Sequence, residues 1–149
     1  DEHAQDIGAV VDYLKAKTAA PVWLIGTSRG TESAAALGIK LGPRIDGAVL
    51  TSSITVENRG GSNILRLPLA SVRVPVLAVA HKDDQCHVTP PNGADLIVGA
   101  LSASARKKAL VVEGGDPPKS DPCEALSAHG FLGIEKKVVA AIAEFIKGR

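Results

Sequence analysis

Three short segments carry residue types that can cooperate in nucleophilic chemistry. Gly26-Thr27-Ser28-Arg29-Gly30 sets a serine between two glycines, directly after the apolar run Val22-Trp23-Leu24-Ile25. His81-Lys82-Asp83-Asp84 offers two carboxylates just past the apolar run Val74 to Ala80. Ser127-Ala128-His129-Gly130-Phe131 offers an imidazole and reads as the opening of the final helical stretch. A serine hydroxyl is a poor nucleophile until a base removes its proton, and the base works best when a carboxylate holds its other nitrogen. The chain order here is serine, acid, histidine, with 56 residues from Ser28 to Asp84 and 45 from Asp84 to His129. Each interval is long enough for about one strand-helix unit and a loop.

The glycines around Ser28 have a physical reading. A serine on a sharp strand-to-helix turn sits in strained backbone geometry, and side chains on either side of it are expected to collide with neighbouring elements. Such a turn lifts the hydroxyl out at the carboxyl end of a sheet, where open α/β sheets hold ligands. The helix behind it contributes free N–H groups and a positive dipole end, suited to a developing oxyanion. An ordinary glycine-rich turn has the same composition. A phosphate loop does not fit, because neither Gly-x-x-x-x-Gly-Lys-Ser/Thr nor Gly-x-Gly-x-x-Gly is present.

The elements that must position these residues can be traced from hydropathy. Val22 to Ile25, Ala48 to Leu50, Val74 to Ala80 and Ala109 to Val112 are short, near-continuous apolar runs. Runs of this kind suit strands of a parallel sheet buried on both faces. Pro21 and Pro75 stand at or near strand starts, where a missing N–H is tolerated. Helical stripes separate the runs: Ile7, Val10, Val11 and Leu14 within residues 4–17; Thr31 to Leu41 ahead of the Gly42-Pro43 stop; Ala94, Ile97, Val98 and Leu101; and Ile134, Val138, Ile142 and Phe145. The expected architecture is α/β, a parallel sheet of about four strands with flanking helices. Two long loops remain, 54–71 with Arg59-Gly60-Gly61-Ser62-Asn63, and 114–129. Ile64, Leu65, Leu67 and Leu69 in the first loop read either as an apolar pocket lining or as plain packing. Arg106-Lys107-Lys108 and Glu135-Lys136-Lys137 read as solvated faces.

Composition removes several other classes of function. The 149 residues suit one domain, spanning 1–149. Apolar residues make up 45% and charged residues 22%, which excludes disorder. A net charge of +1 gives no bulk attraction to nucleic acid or to an anionic membrane. No apolar run approaches the roughly 20 residues that cross a bilayer, and no signal peptide is visible. Methionine is absent even at position 1, so the expectation is a chain that continues upstream. His3 and His87 read as solvated, His81 as a turn or supporting residue. No cluster has metal-ligand spacing, so neither a metal nor a cofactor is expected.

Taken together, Gly26-Thr27-Ser28-Arg29-Gly30, His81-Lys82-Asp83-Asp84 and His129-Gly130-Phe131 resemble the C-terminal half of an α/β-hydrolase, in the dienelactone-hydrolase-like and small esterase branch. The resemblance spans essentially the whole chain. It implies Ser28 as nucleophile, His129 as base, and an acid in the fourth place of a Gly-x-x-Asp pattern, which selects Asp84 with Asp83 as the fallback. It implies a first oxyanion donor in the backbone N–H of Arg29, an acyl compound as substrate, and no cofactor. In this fold Cys86 and Cys123 fall on the two loops that carry acid and base, so a disulfide between them is expected, and with it an oxidising compartment such as periplasm or exterior. The first half of that fold, with its second oxyanion donor, lies upstream of Asp1. The first strand would then be an exposed apolar edge, and a complementary N-terminal segment or a dimer partner is expected along it. The competing expectation is a non-catalytic binding module of the same fold, or an inactive fragment of a larger hydrolase.

Overall fold

The computed structural model describes residues 2–57 and 60–148. Arg59, in the first long loop, lies outside the described residues. Four strands, β1 (Trp23–Thr27), β2 (Gly47–Thr51), β3 (Val76–His81) and β4 (Lys107–Val112), form one parallel sheet in the order β1-β2-β3-β4. The helices are α1 (Glu2–Lys17), α2 (Arg29–Leu41), α3 (Gly93–Ala100) and α4 (Glu135–Ile146).

Alternation along the strands divides the core in two. Leu50, Val76, Ala78 and Ala80 face one side and pack with α2, α3 and Val11 of α1; Val49, Leu77, Val79 and Val112 face the other and pack with Val138 and Phe145 of α4. Burial on both faces holds for β2 and β3 only. β1 and β4 lie at the sheet's two margins and are only partly covered. Ile25 of β1 is 56% exposed.

Several expectations need correction. The α1 stripe is half used: Val11 is buried and Ile7 is packed against the core, but Val10 and Leu14 are exposed. α1 rests on α2 and the turn 42–44 and covers no strand broadly, so only a narrow line of its surface is shielded. Arg106 is not a solvated cation. Its guanidinium lies over the rings of Phe145 and Trp23 and donates to the Phe145 carbonyl at 3.0 Å. In the loop after β2, Ile64 and Leu69 are buried in the core, with Leu65 and Leu67 packed beside them, so these residues are packing.

Candidate functional site

Ser28 joins β1 to α2 with φ 52° and ψ −117°, a left-handed value that a non-glycine residue adopts under constraint. Its N–H donates to the Thr51 carbonyl at 3.0 Å, which fastens the turn to the carboxyl end of β2. Of the two flanking glycines, only Gly26 is demanded by contact. A Cβ there would run into the backbone of Gly30 and the side chain of Ala34, whereas a Cβ at Gly30 would meet nothing within 4 Å. The expected collision on both sides is therefore one-sided: Gly30, already inside α2, faces open space. Arg29 opens α2, so its N–H belongs to the first helical turn, where backbone donors lack intrahelical partners. Its side chain is exposed.

The acid loop begins where β3 ends. His81 organises it: its Nδ1 accepts the Asp83 N–H at 3.0 Å, so its Nε2 carries the hydrogen donated to the Gly114 carbonyl at 2.8 Å. Asp83 is exposed. Asp84 is buried, and its Oδ1 accepts the Cys86 N–H at 2.9 Å. Its Oδ2 lies 3.0 Å from His129 Nδ1.

His129 does not open the last helix. It sits in a separate 3₁₀ turn, Ala128–Gly130, and α4 starts only at Glu135. Ser127 caps that turn, accepting the His129 N–H, while its own hydroxyl faces the Pro122 and Glu124 carbonyls. Gly130 is required next to it, since a Cβ there would strike the Ala125 backbone. The turn closes with Phe131 at φ 62°. A buried bond from Ser52 Oγ to the His129 carbonyl, 2.7 Å, attaches the whole turn to the residue after β2.

Asp84 and His129 are thus in hydrogen-bonding contact, and the serine turn shares with them the carboxyl rim of the sheet. Among the described residues the Ser28 hydroxyl makes no hydrogen bond to His129 or Asp84. Two residues at this rim carried no signal in the sequence. Ser52 is one. The other is Thr89, whose buried Oγ1 lies 2.9 Å from Asp84 Oδ2 and 3.1 Å from His129 Nδ1. A lone serine or threonine in a loop has no spacing to mark it.

Cys86 and Cys123 form a disulfide, joining the acid loop to the loop that leads into His129. His87 is exposed, with Nδ1 4.0 Å from Cys123 Sγ. Ligand atoms of Cys86, His87 and Cys123 lie within 4.8 Å of one another, but with both sulfurs in the disulfide no thiolate is offered to a metal. His3, near the N-terminus, is exposed and bonded to Ser33. A cavity of about 370 Å³ opens behind the rim, lined by His81, Asp83, Gly114, Ser127 and Leu132 among others; Ser28, Asp84 and His129 do not line it. Among the described residues, no helix is long and apolar enough to cross a membrane.

No family model and no curated protein matches the chain by sequence. Solved structures do match by shape. A monoacylglycerol lipase from Paleococcus ferrophilus superposes with a TM-score of 0.64 at 12% identity, over 96% of this chain and 74% of its own. A structure from work on two metagenome-derived lipolytic enzymes gives 0.70 at 14%, over 98% and 72%. An acylaminoacyl peptidase from Pyrococcus horikoshii gives 0.59 at 12%, over 97% of this chain and 27% of that one. At these identities the likeness is one of fold: a four-stranded parallel sheet with flanking helices that matches part of the α/β-hydrolase architecture.

Proposed function

We propose, starting from that α/β-hydrolase fold, that the chain carries the nucleophile, acid and base of a serine hydrolase acting on carboxylic esters or related acyl compounds. The observation that carries this reading is the buried 3.0 Å contact between Asp84 Oδ2 and His129 Nδ1, at the same sheet rim as a serine held at positive φ. Lipolytic enzymes among the structural neighbours support an acyl substrate.

The chemistry follows from the atoms. His129 Nδ1 donates to Asp84, which leaves Nε2 unprotonated and able to act as base. Ser28 Oγ attacks the acyl carbonyl as its proton passes to Nε2. The tetrahedral oxyanion is met by the Arg29 N–H at the start of α2. Nε2 returns the proton to the leaving alcohol, and an acyl ester remains on Ser28. Water, deprotonated by the same nitrogen, releases the acid and regenerates the serine. No step draws on a cofactor.

A second reading is favoured by one specific observation. Among the described residues β1, the strand that ends in Ser28, pairs on one side only. In this reading the chain is a binding module or an inactive piece of a larger hydrolase. The loss of one oxyanion donor lowers turnover by about 10²–10³. A partner strand along β1, from an N-terminal segment or a second copy, would complete the sheet and could bring the missing donor. The Cys86–Cys123 bridge supports an oxidising compartment.

A fluorophosphonate probe separates the two. Covalent labelling of the native protein at Ser28, abolished in Ser28→Ala, is the expected result. A chain that stays unlabelled even when joined to the complementary part of its sheet is not a hydrolase through Ser28.

A further inference from the structure

We propose that Thr89 is a positioning residue that sets the basicity of His129 by sharing Asp84 Oδ2 with it. Its importance for turnover rests on the hydrolase reading above; its effect on the imidazole does not.

The three polar atoms form a closed triangle. Thr89 Oγ1 is 2.9 Å from Asp84 Oδ2, His129 Nδ1 is 3.0 Å from the same oxygen, and Oγ1 to Nδ1 is 3.1 Å. Thr89 is 1% exposed and His129 4%, so the triangle is shielded from bulk solvent. An ionised carboxylate supplies no hydrogen, the threonine hydroxyl supplies one, and Nδ1 supplies at most one. If the hydroxyl donated to a bare Nδ1, the lone pair of that nitrogen would face a carboxylate oxygen at 3.0 Å, which is repulsive. The consistent assignment has both hydrogens directed at Oδ2, with a lone pair of Oγ1 beside the Nδ1–H. Thr89 therefore reinforces the tautomer that leaves Nε2 free.

The triangle also has an electrostatic consequence. Oδ1 is occupied by the Cys86 N–H, and Oδ2 takes a hydrogen from Thr89 as well as from His129. Every donor on the carboxylate draws off negative charge that would otherwise stabilise the imidazolium. Removing the hydroxyl concentrates that charge on the ring, so the imidazole becomes harder to deprotonate. The segments packed on His129 carry few other charges. On β3 the only titratable group is His81, whose two ring nitrogens are spent on the Asp83 N–H and the Gly114 carbonyl. Lys82 and Asp83 are exposed on the following turn, as is His87 beyond the acid, and the end of β2 presents only Thr51, Ser52 and Ser53. Local sequence keeps the threonine in place: its N–H donates to the Cys86 carbonyl at 3.0 Å, closing a turn on the disulfide-bonded cysteine.

The test is an NMR titration of the His129 ring in the disulfide-intact chain, comparing wild type, Thr89→Val and Thr89→Ser. Valine keeps the volume and removes the hydroxyl; serine keeps the hydroxyl and removes the methyl. The expected result is a His129 pKa raised by about 0.5–1 unit in Thr89→Val, the scale of one ordinary hydrogen bond because the lost donor acts on the ring only through the carboxylate, with Thr89→Ser titrating like wild type. An unshifted or lowered pKa in Thr89→Val overturns the proposal, and so does a shift of equal size in Thr89→Ser, which would assign the effect to packing. If Thr89→Val loses its dispersed spectrum, Thr89→Ala against Thr89→Ser makes the same comparison. Fluorophosphonate labelling of wild type joined to the complementary part of its sheet keeps the two readings apart: a shift without labelling retains Thr89's role and removes the hydrolase, and labelling without a shift does the reverse.

Discussion

The Ser52 hydroxyl donates a 2.7 Å hydrogen bond to the backbone carbonyl of His129, 77 residues further along the chain. One residue before it, the Thr51 carbonyl accepts the Ser28 N–H, so the end of β2 holds the serine turn and the histidine turn at once. Ser52 itself has φ 46°, a second constrained residue on the same rim. Ser52→Ala should cost about 1–3 kcal/mol of unfolding free energy, because it strands a buried carbonyl. It should also slow fluorophosphonate labelling of Ser28 under conditions where the variant remains fully folded. Labelling at the wild-type rate would mean that this bond supports the fold and not the site.

The two aspartates of the acid loop should behave very differently. Asp84→Asn keeps the shape but favours the wrong imidazole tautomer, and in a working triad such a change lowers turnover by about 10⁴. Asp83 is exposed; its backbone N–H is donated to His81 and its carboxylate acts on the neighbouring Lys82 ammonium, not on His129. Asp83→Asn should leave the rate close to wild type. Hydrolysis of a short-chain aryl ester by both variants is the comparison, and equal losses would remove Asp84 from its assigned role.

The disulfide closes a loop between positions 37 residues apart and joins the acid and histidine loops. Its removal by Cys86→Ser with Cys123→Ser should cost roughly 3–4 kcal/mol in denaturant unfolding. Chain denatured without reductant should show no titratable thiol, and chain denatured with reductant should show two. Two thiols without reductant would take away the bridge and the oxidising compartment together.

Acid sensitivity should trace in part to Asp46. The Val22 N–H, donated at 2.7 Å, holds its carboxyl below the usual carboxylate range; the Lys15 ammonium at 3.1 Å adds to this and partial burial opposes it. A carboxyl with a lowered folded pKa contributes stability above its unfolded pKa and loses it as pH falls through the folded one. The site is more than a third exposed, so solvent screens the effect to a modest size. Asp46→Asn should therefore flatten the fall in melting temperature between neutral and acid pH, with a small loss at pH 7. An unchanged acid limb would assign the sensitivity to other groups.

Much of this fold is legible in the sequence because its elements alternate between apolar runs and helical stripes, as at Val76 to Ala80 and at Ala94, Ile97 and Leu101. The failures have physical causes. β1 and β4 carry runs as apolar as those of β2 and β3, but hydropathy does not tell a marginal strand from a central one. Val10 and Leu14 complete an amphipathic pattern that only α2 and one turn are there to cover. The candidate site is legible where chemistry imposes spacing, as around Ser28, and at the aspartates after β3, one of which meets His129. It is silent where contact depends on the path of a loop: nothing about Thr89 or Ser52 in isolation says that either meets His129. His129 reads as a helix start because helical residues follow it closely, whereas Phe131 and Gly133, both at positive φ, first turn the chain.

The bare flank of β1 makes the behaviour of this polypeptide in a test tube a question of concentration. Among the described residues β1 has a strand neighbour on one side only and Ile25 is 56% exposed, and an unpaired strand edge is a template for any extended segment that drifts past. Dilute samples should scatter light as single particles, and crowded ones should grow into larger species. Capping that flank in cis, with a tethered strand, is the first step toward a preparation fit for kinetics.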